Sequence, residues 1–224
     1  QNIHFQGKDK KEGDIVANAN RFITSALIGL EASIGKTDLL VKRLPEVVII
    51  TTGDELVGAE ETPEPFQIRR SNGVTIQSVL KHYGIRAARL HLNDDHDIMK
   101  SGLDRCLQAY DVLLMTGGVS MGKFDYVPQI LENLGVKKLF HKVRQRPGKP
   151  FWFGTYQDQQ LIFAFPGNPV SVFMCLHRYF IPWLESSLKV ENSSPQYAVL
   201  QNDIHFPYPL QYFAQVKLEV NHKG

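Results

Sequence analysis

Carboxylates follow three apolar segments of the sequence, two of them directly after glycine turns. Glu55 lies in TGDEL (residues 52–56), Asp94 lies in NDD (residues 93–95), and Asp125 closes a glycine-rich loop. Because ligands of an open α/β sheet bind at the carboxyl ends of its strands, we expect these carboxylates to share one cleft. Carboxylate oxygens are ligands that Mg²⁺ accepts, so these three residues predict a magnesium site.

Three cations lie in or just before the turn RPGKP (residues 146–150): Lys142, Arg146 and Lys149. If they face the carboxylates in the same cleft, they can neutralise the charge of a phosphate or another oxyanion. Alone, Lys142 would be an ordinary surface lysine. No Walker A motif occurs, and the spacing suggests no Ser–His–Asp arrangement.

Two further loops are typical of anion binding. Gly117 and Gly118 follow an apolar run, and glycines let backbone N–H groups approach an anion closely. Ser120 in this loop and Ser171 after the turn PGNP (residues 166–169) add hydroxyl donors. These loops predict a cradle for a phosphate group.

Several polar residues have structural explanations beside functional ones. Asp54 either binds substrate or stabilises its own loop, and Asp95 either binds a ligand or caps the next helix. Asn168 is expected to cap a helix that starts with Pro169, and Asp111 to serve as a turn or capping residue. The histidines at 96 and 177 are expected to be packed or solvated.

Strand and helix patterns alternate at residues 46–187. This alternation predicts a mostly parallel sheet with helices on both faces, which would position the loops named above. Strands are predicted at residues 39–42, 47–51, 85–92, 111–115 and 161–165, with extended segments at 136–153. Helices are predicted near residues 23–34, 76–83, 99–110, 127–134 and 169–184. Residues 1–21 predict short strands and turns, and residues 188–224 predict strands without a helix. We expect three segments: 1–45, 46–187 and 188–224.

Composition narrows the function classes. A net charge of +2 over 224 residues favours neither nucleic acid nor a membrane surface as partner. No apolar run reaches the roughly 18 residues of a membrane span, and no signal peptide is present, so a cytoplasmic location is expected. Cys106 and Cys175 fall on apolar helix faces, which predicts reduced core cysteines.

Taken in order, the motifs TGDEL, NDD, TGGVSMGxxDY, RPGKPFWFG and FPGNPVS resemble the MoeA family, the molybdopterin molybdenumtransferases. The eukaryotic relatives of this family are the E domains of gephyrin-like proteins. The resemblance implies a molybdopterin-binding α/β domain at residues 46–187 and the start of a C-terminal β domain after it. It also implies that residues 1–224 are a piece of a longer protein, inactive alone.

The implied reaction inserts molybdate into adenylylated molybdopterin and releases AMP, with Mg²⁺ as the metal. The implied enzyme is a homodimer, and a molybdopterin adenylyltransferase supplies its substrate. Catalytic roles are implied for Glu55, Asp94, Asp125 and Lys142, with the carboxylates also as metal ligands. Substrate contacts are implied for Thr52, Gly53, Asp54, Ser71, Asn72, Gly117, Gly118, Ser120, Arg146, Lys149, Pro166, Gly167, Asn168 and Ser171. Arg146 departs from the family's usual lysine, and the segment from Arg70 to Gly73 also departs from its pattern.

Two alternatives stay open. Molybdopterin adenylyltransferases and CinA-like nucleotide pyrophosphatases share the glycine loop and the PGNP turn, but residues 3–45, residues 188–224 and TGDEL speak against them. A non-catalytic gephyrin-like scaffold would bind receptor peptides. The apolar stripe Ile23, Leu27, Leu30 and Ile34 packs either against a second subunit or within its own.

Overall fold

The computed structural model describes residues 3, 5–119, 126–189 and 197–220. The chain divides into two compact units. One comprises Leu44–Pro182 and Gln196–Gly224, and the other comprises Gln1–Arg43 and Trp183–Pro195. The three-segment division stays a prediction.

The larger unit is built on a six-stranded sheet of the described residues, in the order β4-β1-β5-β9-β8-β6. Its strands are β1 (Val47–Thr52), β4 (Ala88–Leu92), β5 (Val112–Thr116), β6 (Lys137–His141), β8 (Trp152–Tyr156) and β9 (Gln160–Phe165). Short pairs are formed by β2 (Leu56–Val57) with β3 (Ile68–Arg69), and by β7 (Gln145–Arg146) with β10 (Gln211–Tyr212). The first four strands of the order run parallel, and β8 is antiparallel to both of its neighbours. The predicted mostly parallel α/β fold is confirmed.

Helices cover both faces of this sheet. They are α2 (Asn72–His82), α3 (His96–Ala109), α4 (Val127–Asn133) and α5 (Pro169–Cys175), which continues into a π-helical turn at Leu176–Phe180. The next helix, α6 (Ile181–Ser187), belongs mostly to the smaller unit. Successive side chains of a strand point to opposite faces. Val48 and Ile50 of β1 join the core under α3 and α4, whereas Ile49 and Thr51 lie beside the first turn of α2. Because both faces are covered, β1 and β5 are buried along their whole length.

Side-chain caps fix where three helices begin. Asp95 Oδ1 accepts the N–H groups of Asp97 and Ile98, at 3.0 and 2.9 Å, ahead of α3. Asn168 Oδ1 accepts the Ser171 N–H ahead of α5. In the smaller unit Thr24 caps α1 (Ser25–Ser33) in the same way. The predicted capping roles of Asp95 and Asn168 are confirmed, because each side chain satisfies a backbone donor of the first helical turn.

Three local expectations are wrong. Residues 39–42 form no strand, and Leu40 and Val41 are exposed, because a short apolar run without a pairing partner gains neither ladder nor core. Within residues 197–220 the one strand is β10, and residues 5–21 show turns but no strand.

No helix among the described residues is both long and apolar enough to cross a bilayer. Asp111 accepts a hydrogen bond from the Glu46 N–H at 2.8 Å, as its predicted structural role requires. Cys106 and Cys175 are buried and free, as predicted. Burial raises the pKa of the Cys106 thiol, so this side chain stays protonated in the core.

We predict that Leu103→Ala in α3 lowers the free energy of unfolding by about 2–5 kcal/mol, because the side chain is fully buried and leaves a cavity. The matched variant is Ile98→Ala in the same helix, where the side chain is 56% exposed. Ile98→Ala should change the free energy by less than about 0.5 kcal/mol. Urea unfolding of both variants measures the difference, and equal losses would contradict this account of the core.

Candidate active site

Three strand-end loops meet at the carboxyl edge of the parallel strands. The Gly117 N–H donates to the Phe165 carbonyl oxygen at 3.3 Å, which ties the end of β5 to the end of β9. A methyl group placed on Gly117 would lie 2.8 Å from the Thr52 carbonyl oxygen. One placed on Gly167 would lie 3.9 Å from the Gly117 Cα. The loops that follow β1, β5 and β9 are therefore in contact, as predicted for a parallel sheet.

The start of α2 joins the same edge. The Asn72 side-chain amide donates to the Gly167 carbonyl oxygen at 2.8 Å. Ser71 precedes the helix in helical backbone geometry and makes no capping bond with its hydroxyl. Pro166 and Ser171 are buried at the other side of the turn. The structure thus brings Ser71 and Asn72 to the PGNP turn, which the sequence pattern alone does not reveal.

The loops after β1 and β4 are also joined. The Asp94 N–H donates to Asp54 Oδ1 at 3.1 Å. This bond supports the structural explanation of Asp54, since it holds two neighbouring loops together. It also places the Asp54 and Asp94 carboxyl groups at one end of the edge.

Glu55 lies exposed on the turn that follows β1. Its carboxylate folds back over Gly53 and occupies the space that a Cβ at position 53 would fill. Gly53 has a φ of +125°, a value that L side chains rarely adopt. Glycine at this position therefore permits both the turn and the approach of the Glu55 carboxylate to the backbone.

The cations lie at the same edge but at its opposite end. Since β8 is antiparallel to β9 and β6 is antiparallel to β8, β6 runs in the direction of the parallel strands. Lys142 directly follows β6, and its N–H donates to the Phe151 carbonyl oxygen at 2.9 Å. The adjacent His141 ring contacts the Val119 carbonyl oxygen at 3.2 Å.

The two ends of this edge are well separated. β6 is four strand positions from β1, which amounts to about 19 Å at a spacing of about 4.8 Å. The strand-end loops therefore carry carboxylates at one end of this edge and cations at the other. We call this row of loops the strand-end cleft, formed by residues 52–55, 93–95, 117–119, 142–150 and 166–168.

A buried network supports the turn that carries Arg146 and Lys149. Gln145 is 1% exposed, and its side-chain amide donates to the Gly148 carbonyl oxygen at 3.3 Å. The Tyr179 hydroxyl donates to Gln145 Oε1. The π-helical turn carries Tyr179, and the sequence analysis missed this contact because its partners are 34 residues apart.

Burial dominates the electrostatics beside this network. It raises the pKa of the Cys175 thiol to about 12, with the hydrogen bond from Gln145 as a smaller opposing effect. Burial is also the main reason why the pKa of Tyr179 is raised. Both groups are therefore neutral at physiological pH and act here as hydrogen-bonding and packing groups. The Arg146 guanidinium lies 5.7 Å from the centre of the Tyr208 ring, within the range of a cation–π contact.

Ser120 and Asp125 lie outside the described residues. Among the residues that are described, no group of three or more His, Cys, Asp or Glu side chains is close enough to form a metal site. The proposed carboxylate ligands Glu55 and Asp94 are both present at the acidic end of the cleft.

The sequence model of a protein family described as a probable molybdopterin binding domain matches residues 48–186. This match covers the whole sheet and the strand-end cleft. The chain belongs to this family.

Two curated relatives specify the resemblance further. The molybdopterin molybdenumtransferase of Synechocystis sp. is 38% identical over 218 residues, which cover 96% of this chain and 53% of the relative. The molybdopterin molybdenumtransferase of Staphylococcus epidermidis is 32% identical and matches 100% of this chain and 54% of its own length. The chain thus spans about half the length of the curated relatives it matches. The family resemblance predicted from the five motifs is confirmed.

The molybdopterin biosynthesis MoeA protein from Pyrococcus horikoshii is a structural neighbour. It superposes with a TM-score of 0.67 at 26% identity, over 86% of this chain and 46% of the neighbour. The neighbour supports the α/β assignment and, with the curated relatives, does not favour the adenylyltransferase, pyrophosphatase or scaffold alternatives.

We predict that Gly117→Ala destabilises the protein by about 1–3 kcal/mol, because φ at this position is +91° and the new methyl group would meet the Thr52 carbonyl oxygen. Gly167→Ala is the matched variant, since its methyl group would find 3.9 Å of space. It should change stability by less than about 1 kcal/mol. Chemical unfolding of the two variants decides, and a tolerant Gly117→Ala would remove the case for close backbone approach.

A second expected outcome concerns the buried network. Tyr179→Phe leaves the Oε1 atom of buried Gln145 without its donor and should cost about 1–3 kcal/mol in thermal or urea unfolding. Tyr156→Phe is the control, because within the described part of the chain its hydroxyl accepts from the exposed Gln108 amide, which water can replace. Indistinguishable unfolding midpoints would show that the Tyr179 hydroxyl does not support the turn.

Proposed function

We propose that this protein acts in molybdenum cofactor biosynthesis, where it inserts molybdate into adenylylated molybdopterin with release of AMP. The observation that carries the proposal is the convergence of Thr52, Gly117, Gly167 and Asn72 at one sheet edge, in a chain of the molybdopterin-binding family. The name of the Synechocystis relative supplies the reaction class.

The distance of about 19 Å from β1 to β6 along the strand-end cleft suits a long, two-part substrate. Adenylylated molybdopterin joins a nucleotide to a pterin through phosphate groups. The Gly117 N–H is already bonded to the Phe165 carbonyl oxygen, so the backbone N–H groups of Gly118 and Gly167 are the ones that we expect to bind those phosphates. Hydroxyl and amide groups of Thr52, Ser71 and Asn72 lie beside the same turns and can orient the rest of the molecule.

The cationic end suits the second substrate. Molybdate is an oxyanion, and Lys142, Arg146 and Lys149 are exposed on the loop after β6. Arginine binds oxyanions with two parallel N–H donors, so Arg146 can fill a position that a lysine also fills. Glu55 at the acidic end can hold a proton or orient the attacking group when the bond to adenylate is cleaved.

Mg²⁺ belongs to this proposal as a resident cofactor. The donor chemistry fits, because Glu55 and Asp94 offer carboxylate oxygens and magnesium sites often use only one or two carboxylates beside substrate phosphates. Asp125 is the third proposed ligand. When bound, the ion would neutralise negative charge on the phosphate oxygens.

The proposed setting is a cytoplasmic homodimer that receives its substrate from a molybdopterin adenylyltransferase. Support for a dimer comes from α1 in the smaller unit, where Ile28 and Ile34 are exposed while Leu27 and Leu30 are half-buried. Exposed apolar side chains on one helix favour burial against a further surface.

The test measures AMP released from adenylylated molybdopterin on adding molybdate to the longest natural form of the protein. Glu55→Gln should lower the rate about 100-fold, because the carboxylate loses its charge at unchanged size. Glu64→Gln is the control, since Glu64 is exposed on the loop between β2 and β3 and belongs to none of the strand-end loops. Equal rates in both variants would remove Glu55 from the site.

The same assay separates the alternatives. A molybdopterin adenylyltransferase would consume ATP with free molybdopterin and would not need molybdate. AMP release that is independent of molybdate, or adenylylation of free molybdopterin, would overturn the proposed reaction.

A further inference from the structure

We propose that a second cavity, on the α2 face of the sheet, binds a phosphate-like oxyanion. The cavity has a volume of about 280 Å³ and is lined by residues that include Thr51, Gly58, Glu60, Arg70, Arg89 and His91. We call it the β4 cavity, because β4 supplies Arg89 and His91. Its volume lies just below the roughly 300–1,000 Å³ of pockets for drug-sized ligands, which suits a small anionic group rather than a whole nucleotide.

The β4 cavity and the glycine turn after β5 lie on opposite faces of β1. Adjacent residues of a strand point to opposite faces. Thr51 lines the β4 cavity, whereas Thr52 lies against Gly117 and Gly118. The cavity lining shares no residue with the strand-end cleft, although Asp54 and Asp94 of the cleft are near His91. Phosphate binding in the cavity does not require the reaction proposed for the cleft.

Arg70 is held at the cavity wall without a close ion pair. Its Nη2 atom is 3.8 Å from Glu61 Oε1, near the limit for a salt bridge. The same Glu61 oxygen accepts the Gly58 N–H at 2.6 Å. Arg69 Nε donates to the Ala59 carbonyl oxygen at 3.0 Å and so closes the loop against β3. The half-buried Arg70 guanidinium therefore keeps donors for a ligand.

Arg89 supplies a second guanidinium. Among the described residues it takes part in no hydrogen bond or ion pair. Its side chain passes the start of α2, where Cδ would lie 4.0 Å from a Cβ on Gly73. Glycine at position 73 therefore leaves this side of the cavity open. Two guanidiniums can bind a tetrahedral oxyanion through paired N–H donors.

His91 completes the donor set. Its Nδ1 atom lies 3.1 Å from both the hydroxyl and the carbonyl oxygen of Thr51. Within the described residues this leaves Nε2 as the ring nitrogen without a partner. In the tautomer whose Nδ1 accepts the Thr51 hydroxyl proton, Nε2–H can donate to an anion.

The charges near His91 favour an anion over a cation in the cavity itself. Arg70 and Arg89 line it against one carboxylate, that of Glu60. Asp54 and Asp94 are close enough to His91 to raise its pKa, but burial and Arg70 outweigh them and lower it. The lining therefore carries an excess of donors and of positive charge.

The test titrates inorganic phosphate into the protein by calorimetry at low ionic strength, with chloride at matched ionic strength as reference. Arg89→Gln should weaken phosphate binding about tenfold or more, because a charge-assisted contact is lost. Arg86→Gln is the matched control, since Arg86 is exposed on the same segment and does not line the cavity. It should bind phosphate like the natural chain.

Two further outcomes separate the β4 cavity from the strand-end cleft. In a variant with both Arg146→Gln and Lys149→Gln, the His91 ring signals in a proton–nitrogen spectrum should still shift when phosphate is added, whatever becomes of AMP release. In Arg89→Gln the same shift should need about tenfold more phosphate. Loss of the His91 shift in the double variant, unshifted His91 signals in the natural chain, equal responses of the Arg86→Gln and Arg89→Gln variants, or no binding at millimolar phosphate would each overturn the proposal.

Discussion

The arrangement of the candidate site depends on how closely the backbone after β5 can approach the backbone after β1. Gly117 and Gly118 both have positive φ, and any side chain on them would meet Thr52 or Val127. Because the loops touch there through backbone atoms, the loop after β9 and the first residue of α2 can pack against the same point. The Asp54–Asp94 contact extends this packing to β4. Dense backbone packing of this kind holds the loops of the strand-end cleft in fixed positions.

Separation of charge is the second organising property of the strand-end cleft. Carboxylates follow β1 and β4, and cations follow β6, the outermost strand on the other side of the sheet. A cleft of this length can hold two anionic groups apart instead of concentrating both at one point. The loop that carries Arg146 is held by the hydrogen bond between Tyr179 and buried Gln145, so the cationic loop has its own contacts with the core. The two ends of the cleft are thus supported by different parts of the chain.

Local sequence signals predicted what local forces decide. The apolar runs of β1, β5 and β9 identified parallel strands, and the positions of Asp95 and Asn168 identified helix caps. Contacts between distant segments could not be predicted, because no periodicity encodes them. Examples are the pairing of β7 with β10 and the bond from Tyr179 to Gln145. The apolar residues at 39–42 were wrongly predicted to form a strand, since a strand needs a pairing partner and a local pattern does not show whether one is present.

The reversed strand β8 has a consequence for how such a sheet can change. Two parallel strands need a crossover of a dozen or more residues, whereas antiparallel neighbours need only a hairpin. By inserting one antiparallel strand, the chain returns β6 to the common direction with short connections on both sides. The exposed side chains of residues 142–151, such as Arg146 and Lys149, can thus change in charge while buried Gln145 and the glycine turns after β5 stay untouched. Sequence variation on this connection is therefore uncoupled from the backbone contacts that join β1, β5 and β9.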